Sequence, residues 1–265
     1  MTEALGALLF GLLIGSFLNV CIHRMPRDVS IVRPRSYCPA CEHPIAWYDN
    51  VPLLSYLLLR GKCRHCGARI PARYPVVELL TAALFFFIVF RFGVTLMALK
   101  LCLLTAMLVA LVFSDLEERI LPDEFTLGGL AAGLVLAWFI PVPDFLGRSL
   151  LSLYGVELSA RAASVAEAVF GAILPAAFLW LAGFLFEKIR HKEGLGLGDV
   201  KMVGMLGAFL GIRGSLLVLV VGSVLGSVIG LLFIALARKD ASSYELPFGT
   251  FLGAAGIAVS LYLLF

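Results

Sequence analysis

The chain has 265 residues, of which 61% are hydrophobic and only 15% charged. Soluble domains run near half apolar and a quarter charged, so a mean hydropathy of +0.99 excludes a soluble globular fold. A formal net charge of +3 is too small for a nucleic-acid-binding surface, and the length suits roughly seven to nine membrane spans of about 20 residues.

Eight apolar segments follow in chain order, at 4–23, 75–91, 95–114, 125–141, 164–186, 200–211, 214–237 and 248–265. They predict an all-α polytopic membrane protein with about eight transmembrane segments. The first, from Ala4 to Cys21, has no basic stretch before it and no small-residue cleavage site. Glu3 precedes it and Arg24 and Arg27 follow, the order of a retained helix with its N-terminus outside rather than of a cleaved signal. Segments 125–141 and 200–211 are short for a span. Irregular backbone at membrane depth is tolerated only beside protein or a water-filled cavity, so these two mark the expected functional cavity.

Lys and Arg concentrate on the cytoplasmic side of membrane proteins. With the N-terminus outside, the loops at 24–74, 115–124, 187–199 and 238–247 face the cytoplasm; counted with Lys201, they hold 16 of the 21 Lys and Arg residues. Arg91, Arg148, Arg161 and Arg213 fall outside, and Lys100 lies within a span, where it is expected to snorkel. Both termini are then periplasmic. Three regions are expected: a first transmembrane helix at 1–23, a cytoplasmic zinc-binding domain at 24–74 and a transmembrane catalytic domain at 75–265.

The 24–74 loop carries nine Lys and Arg residues and four of the six cysteines. Cys38-Pro-Ala-Cys41 and Cys63-Arg-His-Cys66 form two C-x2-C knuckles separated by 21 residues. Zn²⁺ prefers four thiolates in a tetrahedron, which two such knuckles supply. A loop too small for a large core gains from such a staple, and a reducing cytoplasm disfavours disulfides. Redox pairs or free thiols are the alternatives. His43 and His65 are expected to be solvated, and Cys21 and Cys102 to pack in apolar runs.

Asp115 closes the third apolar segment, followed by Glu117, Glu118 and Leu121-Pro122-Asp123; Gly194-Leu195-Gly196-Leu197-Gly198-Asp199-Val200-Lys201 opens the sixth. The two aspartates are 84 residues apart but at one expected membrane depth. An aspartyl protease needs such a pair: one carboxylate takes a proton from water while the other, protonated, donates to the scissile carbonyl. Either acid alone also suits a helix cap or a solvated surface position. The glycines keep bulk away from Asp199, which leaves room for a substrate strand. Helix ends argue for Asp115 as the resting acid and Asp199 as the base.

Together these pieces resemble the type IV prepilin peptidases, or prepilin leader peptidase/N-methyltransferases, a GxGD-type aspartyl protease group. The resemblance runs from Gly15-Ser16-Phe17-Leu18-Asn19-Val20 and Arg24-Met25-Pro26, through the paired knuckles and Arg73-Tyr74-Pro75-Val76-Val77-Glu78-Leu79-Leu80-Thr81, to the two aspartate motifs. It implies a bacterial inner-membrane enzyme that cleaves a short basic leader after a glycine in prepilins or pseudopilins. It also implies methylation of the new amine with S-adenosylmethionine. The family's catalytic aspartates fall on Asp115 and Asp199, with Asp123, Gly196, Gly198, Lys201 and Glu78 supporting. Glu78 is expected to hold the substrate amine or the donor's sulfonium, or else to pair with Arg73 or Arg24. The acidic run of Glu117, Glu118, Asp123 and Glu124 is expected to attract the basic leader, and the basic loop to meet lipid headgroups. A peptidase without methylation, an ion-coupled transporter or a zinc-bearing scaffold are the competing expectations.

Overall fold

A computed structural model describes residues 1–142, 158–191, 195–237 and 246–262, with positions 149, 152, 153 and 155 between them. Among these residues the chain is helical, apart from two isolated antiparallel bridges, Tyr37 with Pro44 and Lys62 with Arg69. The helices are α1 (Thr2–Arg24), the short α2 (Leu54–Leu58), α3 (Arg73–Phe92), α4 (Leu96–Glu118), α5 (Asp123–Phe139), α6 (Ala160–Arg190), α7 (Leu197–Ala237) and α8 (Phe248–Tyr262). Five of these regions are long and apolar enough to cross a membrane: Thr2–Arg27, α3, α4, α6 and Leu197–Phe233. The protein is thus an all-α polytopic membrane protein. Gly194, Arg148, Lys192, Arg238 and Lys239, on which part of the glycine and charge arguments rests, lie outside the described residues.

Each apolar segment falls on a helix, and 200–211 and 214–237 are two helices joined at a kink, together numbered α7. Within α7 only Gly211 leaves helical geometry, with φ 73° and ψ −176°, a region that glycine enters without a Cβ penalty. Local chemistry sets other ends. Ser159 caps α6 by accepting from the Ala162 N–H at 3.3 Å, and Gly93 stops α3 at φ 65°.

The chain divides into two compact units, Met1–Ala110 and Leu111–Phe265, with the division inside α4. In the first unit α1 packs on α3. Their backbones approach at Gly11 and Gly15, where an added Cβ would stand 2.7 Å from Ala82 Cα and 2.6 Å from Glu78 Cα. Small residues four apart allow such contact in a bilayer, where apolar burial gives helices little reason to associate. Lys100 does not snorkel: it is buried on the face of α4 that carries Leu101 and Leu104.

In the second unit α7 packs against α5, α6 and α8. A Cβ on Gly207 would lie 1.8 Å from the Gly171 carbonyl oxygen, so α6 and α7 meet backbone to backbone. The break at Gly211 frees the N–H of Ile212, which donates to Glu167 Oε1 at 3.0 Å. Glu167, fully buried in α6, is the acceptor that an interrupted helix at membrane depth requires.

Candidate active site and metal site

Asp115 lies in the last turn of α4 and Asp199 in the first turn of α7. Each is therefore inside its helix by a turn rather than just beyond its end. Both are buried, at 6% and 8% exposure, and close enough that the charge on Asp115 acts on Asp199. The surroundings of the two carboxylates differ. Asp115 Oδ2 accepts from the Thr250 N–H at 2.6 Å and from Thr250 Oγ1 at 2.8 Å. Thr250 Oγ1 also lies 3.3 Å from the Val112 carbonyl oxygen, so its hydroxyl has two acceptors in reach, while the backbone N–H is committed to Asp115. Charge-assisted bonds of this kind stabilise a carboxylate. Asp199 accepts from the Gly196 backbone N–H and is otherwise held by burial next to Asp115.

Leu121 links the surroundings of the two acids. A Cβ on Gly198 would meet it at 3.2 Å, and a Cβ on Gly249 would meet it at 3.0 Å and the Asp115 carboxyl carbon at 3.1 Å. The space left by Gly198 is thus filled by Leu121, not kept open for a substrate strand. Gly196 does face Asp199, since its Cβ would lie 3.4 Å from Oδ2. Lys201 Nζ binds both Asp123 oxygens, at 2.7 and 2.9 Å, and so ties the start of α5 to the start of α7. Asp123 therefore enters the acidic run already paired. Gly249 and Thr250 carry no motif of their own. Their one sequence signal is a hydroxyl at the entrance of an otherwise apolar last segment, just after Pro247.

The cysteine knuckles repeat one backbone pattern. Cys38 N–H donates to His43 O and Glu42 N–H to Cys38 O; Cys63 N–H donates to Ala68 O and Gly67 N–H to Cys63 O. Glu42 and Gly67 both take positive φ, at 56° and 71°. The two turns aim four sulfurs at one point, all within 4.8 Å of one another, with Cys38 Sγ and Cys66 Sγ 3.8 Å apart. Tetrahedral zinc with Zn–S near 2.3 Å sets sulfurs about 3.8 Å apart, so the donor set fits a Zn²⁺ ion. Cys63 and Cys41 titrate far apart. Backbone N–H groups of Cys66 and His65 pull Cys63 down to about 7. At Cys41 the His43 N–H is outweighed by desolvation and the neighbouring thiols, which push it up to about 12. A cation at the centre removes that conflict. His43 and His65 stack on each other, centroids 4.2 Å apart, outside the four-sulfur group.

Glu78, in the second turn of α3, is buried and accepts from the Leu53 N–H at 2.8 Å and from the Ser16 side chain. Arg24 is not its partner: that guanidinium donates to the Ser30 and Arg35 carbonyls. Asn19 adds to the same seam, donating from Nδ2 to Tyr74 O at 3.0 Å. Glu78 thus holds the loop onto the membrane helices.

Two family models match the chain: the bacterial peptidase A24 N-terminal domain over residues 9–92 and the type IV leader peptidase family over residues 102–231. Similar curated proteins are called prepilin leader peptidase/N-methyltransferase. One from Myxococcus xanthus is 43% identical over 224 residues, which covers 84% of this chain and 61% of that protein. Others, from Aeromonas hydrophila and Pseudomonas aeruginosa, are 39% and 36% identical over 272 residues, covering 94% of this chain and 87% of each relative. No solved structure matches the chain.

Proposed function

The chain belongs to the type IV leader peptidase family, and we propose that it removes the leader from prepilins or pseudopilins by aspartyl catalysis and methylates the new N-terminus. The relatives' shared name carries both activities. The observation that most supports the peptidase is the pair of buried, electrostatically coupled aspartates on α4 and α7, with Asp115 fastened by Thr250.

An aspartyl dyad works with one carboxylate ionised and the other protonated. The Thr250 bonds favour Asp115 as the ionised partner, which reverses the roles that helix ends alone suggest. Asp115 then takes a proton from the attacking water, while Asp199 donates its proton to the oxygen of the scissile carbonyl. In collapse of the tetrahedral species Asp115 gives its proton to the leaving amine, and Asp199 takes its own back from the hydroxyl that becomes the new carbonyl. Asp123 and Lys201 act through their ion pair, holding the ends of α5 and α7 at the depth of the dyad. The excess of Lys and Arg on this side supports a cytoplasmic orientation, in which a basic leader would stay on the side of the dyad.

Cys38, Cys41, Cys63 and Cys66 would hold a structural zinc, which crosslinks the two knuckles. S-adenosylmethionine is the methyl donor implied by the relatives' name. Glu78 is already engaged by Leu53 and Ser16, which weighs against its holding the sulfonium. That engagement favours, as a second reading, a peptidase without methylation. An ion-coupled transporter is disfavoured because Glu167, the acid buried inside α6, is a helix cap.

The test is to incubate purified protein with a synthetic prepilin and S-adenosylmethionine and to follow leader loss and N-methylation by mass spectrometry. Cleavage and methylation by wild type, with cleavage lost in Asp115→Asn and Asp199→Asn, upholds the proposal. Cleavage without methylation leaves the peptidase alone. No cleavage of any prepilin or pseudopilin overturns it.

A further inference from the structure

Region 24–74 exposes a cluster of large apolar side chains outside the long spans. Trp47 is 75% exposed, Leu57 70%, Leu58 71% and Leu54 53%. Leu54, Leu57 and Leu58 share a face of α2, being three and four residues apart, and α2 packs against the 3-10 turn Trp47–Asn50. Ser55, buried on the other side, fastens the two together: its hydroxyl accepts from Val51 N–H at 3.0 Å and donates to Tyr48 O at 2.9 Å. Large apolar side chains exposed together on two elements that pack on each other mark a contact.

Its depth is fixed by Glu78. The residue just before α2 is Leu53, whose N–H is bonded to Glu78 Oε2 at 2.8 Å. Leu53 is held at φ 56° and ψ −47°, a conformation an L residue adopts only under constraint. Glu78 is the sixth residue of α3, about 7 Å from the start of that helix at 1.5 Å per residue. With the bilayer boundary taken at the start of α3, the first residue of α2 stands within about a turn and a half of that boundary. Helices lying in the membrane interface sink their apolar face about 5–10 Å into the headgroup–acyl boundary, the same range.

We propose that α2 and Trp47 form a wedge seated in the anionic lipid interface, which holds the cysteine-knuckle region against the membrane. The charges agree with that occupant. Region 24–74 has nine Lys and Arg residues against Asp28, Glu42 and Asp49, and Arg60 and Lys62 directly follow α2. An anionic leaflet attracts such a segment, whereas a basic peptide is repelled. Tryptophan, with an apolar ring and one N–H donor, favours that boundary. The proposal does not depend on the peptidase reading.

The test uses the full chain with Trp138→Phe and Trp180→Phe, which leave Trp47 as the sole tryptophan. It is reconstituted in bilayers of phosphatidylethanolamine and phosphatidylglycerol carrying acyl chains brominated near the headgroup or near the middle. Trp47 fluorescence is expected to be quenched most by shallow bromine and to be shielded from aqueous acrylamide. Adding Leu57→Ser and Leu58→Ser should restore acrylamide access at unchanged zinc content, which shows that the knuckles remain folded. Acrylamide access in the parent equal to that of free tryptophan, without bromine quenching, overturns the proposal. So does shielding from both quenchers, which means that protein rather than lipid covers the patch. An unchanged response in the leucine variant removes α2 as the anchor.

Discussion

The cysteine knuckles and the aspartate pair are assembled at opposite ranges. Each knuckle is a turn closed by its own backbone bonds, and the same two bonds recur in both. Its geometry is therefore local, and its ligands stand in sequence at the spacing the chemistry needs. The aspartates come from α4 and α7, and the Thr250 donors come from α8. That geometry depends on how α5, α7 and α8 pack, with Leu121 fitted between Gly198 and Gly249. A locally built site tolerates changes elsewhere in the fold, whereas a site built across helices transmits packing errors to its chemistry.

The largest expected effects fall on the dyad. Asp115→Asn and Asp199→Asn should each lower leader cleavage by at least about 10²-fold while zinc content, measured by elemental analysis, stays at wild type. A coordinated loss of both would break the contrast. Next, Gly207→Ala drives a Cβ into the Gly171 carbonyl. Overpacking of this kind costs about 1–3 kcal/mol or more; it should show as a lower unfolding temperature and as lost cleavage, with the knuckle sulfurs still loaded.

Thr250→Val keeps the backbone donor to Asp115 and removes the hydroxyl. A drop in kcat of about tenfold, worth 1.4 kcal/mol of transition-state stabilisation, is expected with little change in KM. The acid limb of the kcat–pH profile should move to higher pH, since a less supported carboxylate takes a proton more readily. Thr250→Ser should restore both. An unchanged profile in the valine variant would show that Thr250 only packs.

Chelation sharpens the other side of the comparison. Removing zinc should expose the chain between Cys38 and Cys66 to proteases, read as new cleavage products by mass spectrometry. Loading should weaken as pH falls, because thiols that titrate between about 7 and 12 must lose protons to bind. The smallest effect belongs to Asp49, which Arg64 grips with both oxygens at 2.8 and 2.7 Å. The Arg64 hydrogen bonds and charge hold Asp49 below the usual carboxylate range. That contribution is present at neutral pH and is lost as pH falls through its depressed titration. Asp49→Asn should make zinc release by chelator slightly faster at neutral pH and no different in acid.

Much of this was legible in the residues. Apolar runs gave each membrane helix, because a bilayer forces any spanning segment to be apolar and helical. The knuckles were legible because ligand spacing is a local property. Glu78 was legible as an important acid, but its partner was not: Leu53 N–H is a backbone group brought in by the loop's return, and no side-chain pattern announces it. Thr250 and Gly249 were silent for the same reason, since a hydroxyl in an apolar segment gains its meaning from what it faces. The tight glycine contacts, Gly11 and Gly15 on α3 and Gly207 on Gly171, also depended on which helices became neighbours.

The sequence by itself determined the apolar spans and singled out the four clustered cysteines and the two aspartates, because each rests on composition or on spacing within a few residues. Tertiary structure alone decided which carboxylate is fastened, what fills the space beside Gly198, and that Glu78 binds the loop and Glu167 caps a broken helix. Those are contacts between residues 25 to 135 positions apart. Hydrogen-bond donors and close-packed glycines act only at contact distance, so nothing short of the packed helices can select their partners.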